Sequence, residues 1–131
     1  MYRAVVIGGE ASVDRCVSHK LFMSHEELRR TPRWVELGFD KDEQDFLADA
    51  DAFLGFSWRE VLAPVFQKTP LDIYGVDFGT TREGRPIVFE VNAAMNLFSP
   101  AVAKRTPYLS GLYSHLNDVT AQYLRDRIAS G

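Results

Sequence analysis

At 131 residues, with 46% hydrophobic and 12% aromatic side chains, the chain can bury the core of one domain, which excludes a disordered segment. Its 18 acidic against 15 basic residues leave a net charge of -3, which excludes a broad positive field for holding a nucleic-acid backbone; any phosphate must be recognised locally. The lone Cys16 excludes an internal disulfide, and no apolar run approaches the roughly 20 residues of a membrane span, so a soluble cytoplasmic protein is the expectation.

Tyr2 to Gly8 is rich in β-branched residues and runs into Gly8-Gly9-Glu10, after which Ala11 to Val17 partly alternates. The two segments predict a hairpin. From Ser24 to Gly55 the pattern turns helical: Ser24 and Glu27 have capping-box spacing, and Phe46, Leu47, Ala50, Phe53 and Leu54 recur on one helix face, with a polar loop near Thr31 to Arg33. Ser57 and Glu60 form a second capping box before Val61, Leu62, Val65 and Phe66, and Pro64 should kink that helix or delay its start. Asp72 to Phe78 and Pro86 to Val91 read as strands. Leu109, Leu112, Leu116, Val119, Tyr123 and Ile128 then keep helical spacing along a last amphipathic helix, capped near Ser110. No repeat, low-complexity tract or linker interrupts the chain, so residues 1–131 are expected to form a single α+β domain, an antiparallel sheet packed against helices.

The last two strands flank Gly79-Thr80-Thr81-Arg82-Glu83-Gly84-Arg85, and Glu83-Gly84 resembles the acidic-glycine pair of a two-residue turn. A turn centred there sets Asp77 opposite Glu90, Val76 opposite Val91, Phe78 opposite Phe89 and Gly75 opposite Asn92. Alternation then puts Tyr74, Val76, Phe78, Ile87, Phe89 and Val91 on a core face, and Gly75, Asp77, Gly79, Val88, Glu90 and Asn92 on the other. Two like charges directly across a strand pair repel, which asks for a compensating cation, and oxygen ligands without histidine or thiolate suit Mg²⁺ or Mn²⁺. On geometry alone an ordinary solvated hairpin face stands as the alternative.

The run Tyr74-Gly75-Val76-Asp77-Phe78, then Gly84, then Phe89-Glu90-Val91-Asn92-Ala93, resembles the closing motif of the ATP-grasp ligases, and Tyr2 to Gly9 resembles an earlier strand of that family entering a glycine turn. The resemblance implies the C-terminal half of the ATP-grasp fold, with Asp77, Glu90 and Asn92 holding one or two Mg²⁺ at the phosphates of ATP while a carboxylate substrate forms an acyl-phosphate and then an amide-like bond. It also implies a basic residue near the first hairpin at the phosphate. Arg15 is the first candidate for that catalytic and ATP-binding role, with Arg3, His19 and Lys20 behind it. The strand lysine, adenine-reading hinge and glycine-rich flap of the family's preceding lobe have no counterpart here. The expectation is therefore a lobe inactive alone, either part of a longer ligase or a stand-alone remnant. The competing class is a non-catalytic interaction or regulatory domain, a homodimer for example, with Phe22, Trp34, Phe39 and Trp58 covering a partner surface.

Other polar residues read as structural. His19 and His25 are not expected to ligate metal, Cys16 reads as an inert buried thiol, Lys104 and Arg105 as loop residues, and Asp40 to Asp51 as a solvated helix face.

Overall fold

Two hairpins build one sheet. In the computed structural model, which describes residues 1–16, 25–93 and 100–131, β1 (Tyr2–Ile7) and β2 (Glu10–Cys16) form the first, and β3 (Ile73–Thr80) and β4 (Pro86–Asn92) the second. They join through β1 and β3, giving the order β2-β1-β3-β4 with every neighbouring pair antiparallel. Between the hairpins run α1 (His25–Arg29), α2 (Arg33–Glu36), α3 (Phe39–Ala48), α4 (Ala50–Leu54) and α5 (Trp58–Lys68). After β4 come α6 (Pro100–Arg105), a 3-10 turn (Pro107–Leu109) and α7 (Ser110–Ser130). The described residues thus form an α+β fold with a four-stranded antiparallel sheet and seven α-helices, in agreement with the expected class.

Alternation along β1 and β3 sends their side chains to two different cores. On one face Ala4, Val6, Val76 and Phe78 pack against Phe46 of α3 and Trp58 and Leu62 of α5. On the other, Val5 and Ile7 pack against Leu116 of α7, with Ile73, Leu112, Val119 and Tyr123 around them. Trp34, Phe39 and Trp58 are buried in these and a smaller cluster, so they cover no partner surface; Phe22 lies outside the described residues. Among the described residues no helix is long and apolar enough to cross a membrane.

Several local details position these layers. Asp49 caps α4 by accepting from the Ala52 amide at 3.0 Å. Ser57 stands at the N-cap of α5 without a side-chain cap bond, and Asp51 instead accepts from the Trp58 amide at 3.0 Å, so the expected Ser57-Glu60 box is replaced by a carboxylate from the preceding helix. Pro64 lies inside α5 on its exposed side, where water can take the Glu60 carbonyl that the missing amide leaves free; the helix neither stops nor starts late. At the β1-β2 turn Gly8 has φ +58°, and the Tyr123 ring sits where a Cβ would be, 2.4 Å away, so this position takes only glycine while α7 is docked. Lys104 and Arg105 end α6 rather than lying in a loop.

Candidate functional site

The β3-β4 turn is wider than its sequence suggests. The Gly84 amide donates to the Thr81 carbonyl at 3.0 Å and the Thr81 amide to the Arg85 carbonyl at 2.8 Å, with Gly84 at φ +78°, so five residues rather than Glu83-Gly84 alone make the connection. The first pairs are therefore Thr80 with Pro86, Gly79 with Ile87 and Phe78 with Val88, not Phe89. A bulge then absorbs Phe89, and beyond it Asp77 pairs with Glu90, Val76 with Val91 and Gly75 with Asn92, as the sequence register expects. The shift swaps the faces of the residues near the turn. Val88 joins Phe78 on the helix-covered side, lining an apolar cleft with Val61 and Leu62, while Phe89 lies over Gly79, whose ideal Cβ would stand 2.9 Å from the ring. Val88 thus leaves the acid face to which alternation assigned it, and Phe89 occupies that face instead.

The cation opposite the acid pair comes from β1. Arg3 pairs with Asp77 across the sheet, and its Nε and Nη2 donate to Asp77 Oδ1 and Oδ2, each at 2.6 Å. Side-chain exposures of 14% and 7% place this two-pronged bond well inside the surface, where charge-assisted hydrogen bonds are strongest. The bond to Asp77 is the leading cause that holds the Arg3 guanidinium above its usual range; burial opposes it, and the charges of Asp77, Asp14 and Glu90 add to it. Asp14 is a residue that the sequence pattern does not reveal. It falls where the β1-β2 register shifts between Arg3 and Ala4, and it is buried beside the sheet although strand alternation gives no warning of it. Glu90 is exposed and Asn92 half-buried.

Of the expected site residues, the fold brings Arg3, Asp77, Glu90 and Asn92 to one face. The Arg15 backbone pairs with Arg3, but the Arg15 side chain, His19 and Lys20 lie outside the described residues. The donor set fits a hard divalent cation in kind, since two carboxylates and an amide oxygen share a face. It does so with both Asp77 oxygens held by Arg3, so a metal there has to compete with a resident guanidinium. Among the described residues no three His, Cys, Asp or Glu side chains are grouped to hold a metal.

A second polar cluster lies away from the hairpin. Glu43 is fully buried, accepts from Arg29 and receives the Tyr108 hydroxyl at 3.0 Å. Arg29 in turn stacks over the Trp34 ring, 4.6 Å from its centroid. Burial first, then the charge of Glu43, pushes the Tyr108 hydroxyl up to about 12. Glu43 thus departs from the solvated face expected for Asp40 to Asp51. The signal lay in its position, four residues after Phe39 and three before Phe46, on the apolar stripe of α3.

No protein-family model, curated protein or solved structure matches this chain.

Proposed function

We propose that the chain is a C-terminal, ATP- and Mg²⁺-binding lobe of an ATP-grasp-like carboxylate ligase, inactive by itself. The observation behind this is the register that sets Asp77 opposite Glu90 and Gly75 opposite Asn92, beside Arg3 on the next strand. Asp77, Glu90 and Asn92 would hold Mg²⁺ (or Mn²⁺), which neutralises charge on phosphoryl oxygens. Arg3 would meet the same phosphate, with Arg15, its neighbour across β1 and β2, as the catalytic candidate. The test is calorimetric titration of the protein with ATP in the presence and absence of Mg²⁺. Mg²⁺-dependent binding that weakens at least tenfold in Glu90→Gln and Asp77→Asn supports the assignment. Binding that is absent, or indifferent to Mg²⁺ and to both substitutions, refutes it.

A second reading, a non-catalytic interaction domain, has one observation of its own. β4 is the outer strand on its side of the sheet, and Ile87, Val88, Phe89 and Val91 are all exposed on it, Phe89 at 54%. Pro86 and the Phe89 bulge blunt the strand edge itself, so a second copy of the chain would meet it through side chains rather than by adding a strand. Light scattering across a concentration series checks this. Self-association lost in Ile87→Lys supports it, and a monomer at every concentration rules it out.

A further inference from the structure

We propose that Arg3 is a positioning residue that keeps Asp77 from binding a bare divalent cation and yields it when a phosphate-bearing ligand arrives. This rests on the metal and phosphate reading of the same face. Both Asp77 oxygens accept from Arg3, through Nε and Nη2, in a pair that is mostly removed from water. A divalent cation approaching that carboxylate meets a guanidinium already on it, and in a half-buried site the two cations repel with little screening. A phosphate reverses the sign of the problem, because its oxygens attract both the metal and the guanidinium. Arg3 is equipped for the exchange. Nη1 is not used on Asp77, the guanidinium fork matches phosphate as well as carboxylate, and the side chain keeps some exposure. Metal and phosphate would thus enter together, and metal alone would bind poorly.

The experiment measures Mn²⁺ binding to the whole chain by electron paramagnetic resonance, with Mn²⁺ alone and with Mn²⁺ plus ATP. In the wild type, ATP is expected to raise protein-bound Mn²⁺ affinity at least tenfold over Mn²⁺ alone. In Arg3→Met, Mn²⁺ alone should bind at least tenfold more tightly than in the wild type, and most of the ATP-dependent gain should vanish. Arg3→Lys, with one charge but no fork, should fall between. A folded Arg3→Met whose affinity for Mn²⁺ alone is unchanged or reduced overturns the assignment, and so does one that keeps the full ATP-dependent gain. Should Arg3→Met not fold, the wild type supplies the second readout. The Arg3 Nε–H resonance, identified by its loss in Arg3→Lys, should stay in place with Mg²⁺ alone and move when ATP is added. A resonance that moves with Mg²⁺ alone, or stays still throughout, overturns the assignment as well. Glu90→Gln separates the two levels: if it leaves the Mn²⁺ and ATP affinities unchanged, the metal reading itself fails, whereas if it weakens them while Arg3 behaves as structural, only the role of Arg3 fails.

Discussion

Replacing Arg29 by methionine tests the buried pair that fastens α1 to α3. Glu43 has no solvent exposure and Arg29 very little, so Arg29→Met leaves a carboxylate in the interior without its guanidinium. Removing one member of a buried pair costs about 3–5 kcal/mol, and the lost stacking of Arg29 over Trp34 adds about 1, partly offset by the apolar methionine stem. The expected loss is about 3–4 kcal/mol at pH 8, or roughly 10–15 °C in Tm for a chain of this size. The sign of its pH dependence follows from linkage. A buried glutamate that has lost the Arg29 guanidinium is pushed up by burial, so it takes up a proton more readily folded than unfolded, and the variant regains stability as pH falls from 8 towards 5. Chemical denaturation followed by tryptophan fluorescence at both pH values measures the effect, since Trp34 sits in the cluster. Arg29→Met/Glu43→Leu should recover most of the loss at pH 8, because it removes the stranded charge rather than the contact. A single variant within about 1 kcal/mol of the wild type at pH 8, or equally destabilised at both pH values, would refute the reasoning.

Gly8→Ala should cost about 2–4 kcal/mol, from the left-handed backbone and the displaced Tyr123 ring, whereas Gly9→Ala, at φ +86° with open space around it, should cost only about 1; denaturant midpoints compare the two. Tyr108 is held neutral in the fold, so its contribution is fully present below about pH 10 and lost as pH rises through about 12. Because the ring is partly solvated that contribution is about 1 kcal/mol after screening, and Tyr108→Phe should remove one high-pH step from the absorbance titration of the tyrosines. Asp49→Ala should destabilise by about 1 kcal/mol through loss of the α4 cap, read as a lowered Tm.

The elements were legible where periodicity is strong. Tyr2 to Gly8 with Ala11 onward predicts the first hairpin, and the spacing of Leu112, Leu116, Val119 and Tyr123 predicts the one stripe of α7 that meets the sheet. What periodicity does not carry is which charged residue on an apolar stripe has a partner elsewhere. Glu43 looks like one acid among several from Asp40 to Asp51, and only the fold brings Arg29 and Tyr108 to it. Caps mislead for a similar reason. A Ser57-Glu60 spacing satisfies the local rule, yet Asp51 reaches the Trp58 amide first because α4 ends directly against α5.

At the hairpin, two departures from the simple register compensate. The five-residue turn moves every near pair by one position, and the Phe89 bulge moves the far pairs back, so Asp77 faces Glu90 although Phe78 does not face Phe89. Strand alternation carries neither departure, although both arise inside the hairpin: Thr81 accepts from Gly84 through its carbonyl and from the Glu83 and Arg85 amides through its hydroxyl, and Gly79 leaves space for the Phe89 ring. The missing cation is a different kind of gap. Repulsion between Asp77 and Glu90 correctly calls for positive charge, but the charge that answers lies 74 residues earlier in the chain, on a strand that only sheet order makes a neighbour. An unmatched acid pair in a sequence therefore specifies that a cation is needed, not whether it is a metal or an arginine. Here the two possibilities are coupled through one carboxylate, and the affinity of Arg3→Met for Mn²⁺ alone separates an arginine that replaces a metal from one that waits for it.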